Sequence, residues 1–285
     1  MKALVTGING QVGKALLASV PDGWTCVGLD REALDLTDAD AIARIVDAER
    51  PDLVLNPAAY TAVDKAESEQ ALAHAINAEA PAAFASALAR TGGRLVQVST
   101  DFVFDGTSGT GYRPGDARNP QSVYGASKAA GEDGAGADAI IVRTSWVYAA
   151  GGANFVRTML RLMRERETLS VVADQIGSPT WATGLARTLW GLAQVGKPGI
   201  YHHRDAGVAS WYDFAVAIAE EAQALGLLER IPRILPIATT DYPTPARRPS
   251  FSVLDVSLTR ATLGDEPVHW RSNLRTMLEE EKALG

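Results

Sequence analysis

The first half of the chain alternates short apolar runs with segments in which apolar residues recur at helical spacing. The apolar runs predict five strands, at residues 2–6, 25–29, 53–55, 94–99 and 139–143. Helical spacing separates them, at residues 11–18, 38–49, 67–91 and 124–132. Strands that alternate with helices form parallel sheets covered on both faces, so we predict an α/β fold with a Rossmann-like, doubly wound sheet.

The alternation of strands and helices is less regular in the second half of the chain. Helices are predicted near residues 153–167, 180–195, 210–225 and 271–284, with short strands at 169–173, 199–203 and 233–237. Prolines at positions 232, 236, 243, 245 and 249 interrupt the last third and predict an irregular surface. We therefore predict a main domain over residues 1–145 and, mainly from residues 146–285, a smaller mixed α/β lobe with some segments returning to the main domain.

Charge and composition narrow the classes of partner. Lys and Arg number 27 against 34 Asp and Glu, a net charge of −7, and no basic cluster is interleaved with aromatic residues. This argues against a nucleic-acid partner. No apolar run approaches membrane-spanning length, and Met1 to Val5 lead straight to Thr6 without a signal-peptide pattern. The single cysteine, Cys26, excludes disulfides within the chain and fits a buried structural thiol. We expect a cytoplasmic protein.

A glycine pattern, TGINGQVG at residues 6–13, follows the first predicted strand and opens the first predicted helix. Gly7 permits the tight turn, Gly10 lets backbone amides approach a pyrophosphate, and Gly13 lets the helix pack close to the strand. The amino end of the helix favours the anion. Strand, glycine turn and helix in this order predict that residues 1–145 bind NAD(P).

Polar residues follow where the adenosine half of such a cofactor would lie. Asp30 ends the second predicted strand, twenty residues after Gly10, and would accept the ribose hydroxyls unless it is a plain turn carboxylate. Arg31 comes next and could pair with a 2′-phosphate, so we expect use of both NADH and NADPH. Asp35, which precedes Leu36, would either approach the adenine or cap a turn.

Tyr124 and Lys128 stand four residues apart in a predicted helix and would share one face. The lysine charge favours the phenolate, and we expect it to lower the tyrosine pKa from its usual value of about 10. A tyrosine tuned in this way can protonate a ketone oxygen as hydride reaches the carbon. Taken alone, the spacing also fits a solvated helix face. Together with the glycine pattern, it favours a catalytic pair.

The residues after the third and fourth predicted strands belong to the same expected groove, because ligands of such sheets bind beyond the carboxyl ends of the strands. Small residues in NPAAYT, residues 56–61, would let the backbone of Ala58 and Ala59 lie flat along the cofactor. Thr100 and Asp101 follow the fourth strand. The Thr100 hydroxyl would bond the tyrosine or the substrate oxygen, or would cap a turn.

With TGINGQVG, STDFVFDG and YGASK in this order, the chain resembles the extended, nucleotide-sugar-modifying branch of the short-chain dehydrogenase/reductase superfamily. Within that branch it is most similar to the dTDP-4-dehydrorhamnose reductase family. The strings that carry this similarity are NPAAYTAVDKAE, RTSWVY, NFVRTMLRL, VVADQIGSPT, YHHRDAGVASWYDFA and TPARRPSFSVLD. The resemblance implies a cofactor domain with a seven-stranded parallel sheet and a small carboxyl lobe that closes over a nucleotide sugar.

The resemblance also implies roles for individual residues. Tyr124 would be the proton donor, Lys128 its tuner and ribose clamp, and Thr100 would stand where many members have a serine. Asp101 and Trp146 would border the sugar, although Trp146 also fits plain core packing. The matched cofactor contacts are Gly10, Gln11, Val12, Asp30, Asp35, Leu36, Ala59, Tyr60 and Thr61.

The implied reaction transfers hydride from NADH or NADPH to the 4-keto carbon of dTDP-4-dehydro-β-L-rhamnose and needs no metal. The diphosphate of this dTDP-linked 4-keto-6-deoxy sugar requires a cation. Arg247 and Arg248 are candidates, although exposed loop arginines without a role fit equally well. Adjacent His202 and His203 would point to opposite faces of a strand, so no zinc site is expected.

The sequence fits either a monomer or a homodimer. Some relatives dimerise through carboxylates gathered around Mg²⁺, and Glu279, Glu280 and Glu281 are the candidates here, unless they only face solvent.

Two other interpretations remain. The first is another nucleotide-sugar reductase, epimerase or dehydratase of the same branch. A dehydratase would be expected to place an acidic pair after the threonine, and here Phe102 and Val103 follow Thr100-Asp101. The second is a non-catalytic regulatory subunit of methionine adenosyltransferase, which would keep the cofactor fold as a binding module.

Overall fold

A parallel sheet forms the centre of the fold in a computed structural model that describes residues 1–284. Its six strands lie in the order β10-β5-β4-β3-β1-β2. These strands are β1 (Lys2–Thr6), β2 (Thr25–Leu29), β3 (Leu53–Asn56), β4 (Arg94–Thr100), β5 (Ile140–Thr144) and β10 (Gly199–His202). The remaining strands are β6 (Val147–Tyr148), β7 (Thr168–Val172), β8 (Ile176–Gly177), β9 (Thr180–Trp181), β11 (Ala209–Ser210) and β12 (Arg233–Ile237).

Eleven α-helices accompany these strands in the described part of the chain. They are α1 (Gln11–Ala18), α2 (Ala39–Glu49), α3 (Val63–Ala66), α4 (Gln70–His74), α5 (Ala80–Thr91), α6 (Val123–Ala135), α7 (Phe155–Glu165), α8 (Ala182–Val195), α9 (Trp211–Ala224), α10 (Ser257–Leu263) and α11 (Trp270–Ala283). A π-helical turn (Ala75–Glu79) joins α4 to α5, and 3₁₀ turns lie at Asp101–Val103 and Thr239–Asp241.

The two faces of the sheet are buried under different helices. On one face, Val5 and Leu55 pack with Leu185 and Leu189 of α8. On the other face, Leu4 and Val54 pack in the cluster that contains α2 and α5. Neighbouring residues of β1 and of β3 therefore enter different cores, and the four named here are all apolar, as in doubly covered strands. The predicted fold class is confirmed, with six strands in the central sheet where the resemblance implied seven.

The carboxyl-terminal part forms a second core around α7, α9 and α11. Three two-stranded pairs border it, β7 with β12, β6 with β9, and β8 with β11. Two elements from this half of the chain belong to the central-sheet part instead. Strand β10 pairs with β5 in the central sheet, and helix α8 packs against α1. Most predicted elements end within about two residues of those observed. The functional division at residue 145 stays a prediction.

The long helix predicted at residues 67–91 differs from the structure. Its helical part begins at Gln70 and passes through the π-helical turn before α5. A π-helical turn widens a helix by one residue and is common at functional sites. Here it contains Asn77, a fully buried polar side chain.

None of the helices within residues 1–284 is both long and apolar enough to cross a membrane.

Candidate active site

A cleft of about 1140 Å³ runs along the carboxyl ends of the central strands. It lies where a doubly wound sheet places its ligands. All the predicted site residues line it, namely Gly7, Gly10, Gln11, Val12, Gly13, Asp30, Arg31, Asp35, Leu36, Ala58, Ala59, Tyr60, Thr61, Thr100, Asp101, Tyr124, Lys128 and Trp146. Residues from five separate strand ends thus meet in one groove, and their individual roles stay proposals.

The glycine turn has the shape that a pyrophosphate requires. Gly7 has a φ of 58°, and a Cβ there would lie 2.9 Å from the Cβ of Ala58. A Cβ on Gly13 would lie 2.3 Å from the Gly7 carbonyl oxygen, so only glycine lets α1 start this close to β1. The first turn of α1 leaves backbone N–H groups without helical partners at the edge of the cleft. These features fit the diphosphate of a dinucleotide.

The side chain of Gln11 is engaged away from this anion site. Its Oε1 accepts a hydrogen bond from Nδ2 of Asn154 at 2.8 Å, and its Nε2 donates to the Val147 carbonyl at 3.4 Å. Gln11 would therefore contact a cofactor through its backbone, while its side chain ties α1 to the segment that follows β6.

At the adenosine end, the acidic side chains form turns as well as lining the cleft. Oδ1 of Asp30 accepts from the backbone of Glu32 at 3.0 Å and Ala33 at 2.9 Å. Oδ1 of Asp35 accepts from the backbone and the hydroxyl of Thr37, which lowers the pKa of Asp35. The turn-capping alternative is thus realised for both residues, and each keeps Oδ2 for a ligand. Arg31 is exposed beside them.

The loop after β3 is held in place by Asn77. The Tyr60 N–H donates to Oδ1 of Asn77 at 2.8 Å, and Nδ2 of Asn77 donates to the Tyr60 carbonyl at 3.1 Å and to the Ser127 hydroxyl at 3.0 Å. One amide therefore joins the cofactor loop to α6. Asn77 could not be recognised from the sequence, because a lone asparagine within an apolar helical run gives no signal of a π-helical turn.

Ser122 sets the position of Tyr124 in the first turn of α6, because its hydroxyl accepts from the Gly125 N–H at 3.2 Å as the N-cap. The ring of Tyr124 packs edge-on against Phe102 at 5.5 Å. Nζ of Lys128 lies buried one turn later and donates to the Val98 carbonyl at 2.6 Å. Two of its three N–H donors remain for other partners.

The expected lowering of the Tyr124 pKa by Lys128 is wrong. Burial raises the pKa of Tyr124 to about 12; the nearby Thr100 hydroxyl works against this shift, and the Asp101 charge adds to it. Burial also lowers the pKa of Lys128 to about 8, which the Glu132 charge opposes. Sequence spacing predicted an attraction by Lys128, which is not among the causes of the shift, whereas desolvation, the largest cause, depends on packing that spacing does not show. At neutral pH, Tyr124 is consequently a phenol with a proton to give.

Thr100 and Asp101 continue the site from the end of β4. The Thr100 hydroxyl donates to Oδ1 of Asp101 at 3.0 Å and accepts from the Phe102 N–H at 3.2 Å, so it also caps the 3₁₀ turn. Burial raises the pKa of Asp101 to about 6. Its Oδ2 is buried, and the nearby Ser252 hydroxyl, together with Thr100, opposes this rise in pKa.

Trp146 forms a wall of the cleft together with Trp211. The two indoles stack with ring centroids 3.6 Å apart and an interplanar angle of 10°. Trp146 has a φ of 48°, a conformation that a bulky residue adopts only under constraint. A Cβ on Gly177 would lie 2.7 Å from the Trp146 ring, so the glycine makes room for the stack. Trp211 was missed because one tryptophan at the start of a helix resembles a core residue.

Similarity to known protein families shows which family the chain belongs to. A family model described as the RmlD substrate binding domain matches residues 1–283. The chain belongs to this family. The dTDP-4-dehydrorhamnose reductase of Burkholderia thailandensis is 45% identical over an alignment of 285 positions that covers 95% of this chain and 96% of that protein.

Solved structures agree with this relationship. A dTDP-4-dehydrorhamnose reductase from Clostridium acetobutylicum superposes with a TM-score of 0.93 at 36% identity, over 99% of this chain and 100% of that one. The enzyme of the same name from Bacillus anthracis, crystallised in complex with NADP, gives a TM-score of 0.92 at 36% identity, over 98% and 99%.

In this member of the RmlD family, the side chains of the three carboxyl-terminal glutamates lie in three different surroundings. Oε1 of Glu279 lies 3.4 Å from Nε of Arg275, Glu281 pairs with Arg157, and Glu280 lines the cleft. Within residues 1–284 no group of three or more His, Cys, Asp or Glu side chains is placed to hold a metal ion. The idea that these glutamates gather around Mg²⁺ therefore has no support here.

Replacing Gly13 by alanine should weaken the binding of NAD(P)H to this RmlD-family chain. The added Cβ would meet backbone atoms, 2.3 Å from the Gly7 oxygen and 2.7 Å from Cα of Ile8, so α1 must move away from the turn. Overpacking of this kind costs about 1–3 kcal/mol, which corresponds to a rise in Kd of roughly 5- to 150-fold. Nucleotide fluorescence titration measures the Kd.

Gly115→Ala is the matched control for this prediction, because a Cβ there would meet no atom within 4 Å. Equal Kd values for the two alanine variants would contradict the role given to the glycine turn.

Proposed function

We propose that this chain uses NADPH or NADH to reduce the 4-keto group of dTDP-4-dehydro-β-L-rhamnose, giving dTDP-L-rhamnose. The observation that carries the proposal is the convergence of Tyr124, Lys128 and Thr100 in one cleft with the glycine turn. The relatives described above act as dTDP-4-dehydrorhamnose reductases by name, and the Bacillus anthracis enzyme binds NADP.

The glycine turn, Asp30 and Arg31 would hold the dinucleotide, and Lys128 would bond its ribose through a free ammonium donor. When bound, the reduced nicotinamide supplies a hydride for the substrate C4. Dual cofactor use is part of the proposal. Asp30 suits the ribose hydroxyls of NADH, and Arg31 suits the 2′-phosphate of NADPH.

Tyr124 would transfer its proton to O4 as the C4–hydride bond forms and the carbonyl π bond becomes an O–H bond. A pKa of about 12 keeps this proton on the phenol at neutral pH until the ketone oxygen gains charge. Thr100 would stabilise the resulting phenolate by turning its hydroxyl proton from Asp101 to the phenolate oxygen. The Lys128 ammonium would stabilise it by charge. Asp101 would lie against the sugar from the end of β4.

Phe102 favours a reductase over a dehydratase at this site. Its ring packs edge-on against Tyr124, directly after Thr100-Asp101, where a dehydratase would need a second acid. A phenyl ring can neither give nor take a proton. Asp101 therefore lacks the neighbouring acid that a dehydratase would use, while carbonyl reduction requires only the Tyr124 proton.

Product analysis tests the proposed reaction. The purified protein is incubated with dTDP-4-keto-6-deoxyglucose, its 3,5-epimerase and either NADPH or NADH, and the sugar is identified by NMR. We expect dTDP-L-rhamnose with both cofactors, and much less product when the epimerase is omitted. Oxidation of neither cofactor in the complete mixture would remove the assignment. A different 6-deoxyhexose as product would retain a reductase but change its substrate.

A cytoplasmic location and a monomeric or homodimeric state complete the proposal. Gel filtration with light scattering measures the state of assembly.

A further inference from the structure

Arg248 reaches the cleft from the proline-rich segment that precedes β-bridge residue Phe251. Its Nη1 and Nη2 donate end-on to the Asp64 carboxylate at 3.0 and 2.8 Å. Nη1 also donates to the Thr244 hydroxyl and the Ala246 carbonyl. Among residues 1–284, Nε and the second hydrogen of Nη2 have no hydrogen-bond acceptor. These two donors form the other bidentate edge of a guanidinium, the one that fits a phosphate.

Asp64 fixes the orientation of that edge. Besides the guanidinium, its Oδ1 accepts the Ala246 N–H at 3.2 Å, so one carboxylate holds both the arginine and its loop. The hydrogen bond from Arg248 lowers the pKa of Asp64, which therefore stays charged at neutral pH. Asp64 lies at the start of α3, after the cofactor loop of the sheet domain. The pair thus connects the two sides of the cleft.

The other cations of the cleft have different positions. Lys14 and Arg31 lie on α1 and after β2, at the dinucleotide end, and the Lys128 ammonium bonds the Val98 carbonyl beside Tyr124. Arg248 is the one cation from residues 146–284 that lines the cleft, whereas its neighbour Arg247 is exposed and does not. A nucleotide-sugar substrate brings two phosphate charges into this half of the cleft.

We propose that Arg248 binds the substrate diphosphate through Nε and Nη2, and that Asp64 is the positioning residue that aims it. This inference rests on the proposed function, since it requires a nucleoside diphosphate as the anchoring part of the substrate. A guanidinium already held end-on loses little freedom when its second edge binds, which favours affinity. Lysine offers a single ammonium and cannot serve an aspartate and a phosphate in this planar geometry.

Calorimetric titration of the whole protein with dTDP and with thymidine tests the inference. Arg248→Gln removes the charge-assisted pair, and we expect a rise of about 10- to 100-fold in the Kd for dTDP. The Kd values for thymidine and for NADPH should stay as in the wild type. Arg248→Lys should recover only part of the loss. Asp64→Asn should also raise the Kd of dTDP, because the arginine is then no longer aimed at the phosphate. Arg247→Gln is the matched control and should change nothing.

Kinetics supply the second readout. With the keto sugar, Arg248→Gln should raise KM and leave kcat close to the wild-type value, because the diphosphate lies far from the reacting carbonyl. Unchanged dTDP affinity in Arg248→Gln, or an equal loss for thymidine and NADPH, would overturn the inference while leaving the reductase assignment intact. A wild-type protein that neither binds dTDP nor turns over the sugar would instead overturn the proposed function itself.

Discussion

Tyr124→Phe should reduce kcat for the keto sugar by roughly 10²- to 10⁴-fold, the range that a positioned general acid contributes. The variant keeps the ring, which packs edge-on against Phe102 at 5.5 Å, and removes only the hydroxyl. Tyr124 is half-buried in the wall of the cleft, and desolvation of its hydroxyl is what raises its pKa to about 12, so water would be a poor substitute as the acid. Initial rates of NADPH oxidation at saturating sugar measure the effect.

Two comparisons separate lost chemistry from lost structure in this variant. NADPH affinity and thermal stability should stay near the wild-type values, since the glycine turn and the α6 cap are untouched. Tyr242→Phe is the control, because this tyrosine is 61% exposed and lies outside the cleft. Wild-type turnover by Tyr124→Phe would show that another group protonates the ketone oxygen.

Glu132→Ala should lower the free energy of unfolding by about 3–5 kcal/mol, the usual loss when one partner of a buried ion pair is removed. Arg143 is 1% exposed, and its Nε and Nη2 donate to the two carboxylate oxygens of Glu132 at 2.8 and 2.7 Å. Ser99 and Arg118 donate to the same carboxylate. Without Glu132, the Arg143 charge stays buried and uncompensated. Urea denaturation measures the loss.

Asp133→Ala is the matched control on the same helix. Asp133 pairs with Arg118 at the surface, with 68% of its side chain exposed, so its loss should cost less than about 1 kcal/mol. The double variant Glu132→Leu/Arg143→Met should recover much of the stability, because an apolar pair needs no compensating charge. Equal losses for the two single alanine variants would refute the role of the buried pair.

The ion pair between Glu132 and Arg143 also affects the active site, because Glu132 acts on Lys128. Glu132 lies one turn after Lys128 on α6, and its charge raises the Lys128 pKa against the effect of burial. Glu132→Gln should therefore shift the Lys128 titration below about 8 and move the alkaline decline of kcat/KM to lower pH. The buried pair thus contributes to the charge on Lys128 as well as to the fold.

The fold class and many of the residues that line the cleft could be predicted from the amino-acid sequence alone. Apolar runs such as Leu53 to Leu55 indicated the buried strands, and helical spacing indicated the covering helices, because each pattern repeats locally. The glycine turn, Thr100 and the Tyr124/Lys128 pair were predictable for a related reason, since the ends of parallel strands must meet at one edge of the sheet. Short strands such as β8 and β11 were not predicted, because a strand of two residues is too short to show a periodic pattern.

Interactions between distant segments became visible only in the folded chain. Asn77 joins Tyr60 to Ser127, and Asp64 aims Arg248 across 184 positions of sequence, yet neither residue carries a local signal. The direction of the Tyr124 pKa shift also depends on the tertiary structure, because desolvation comes from everything packed around a group, whereas sequence spacing shows only its neighbours on one helix. Periodicity is a property of a segment, but burial and pairing are properties of the folded chain.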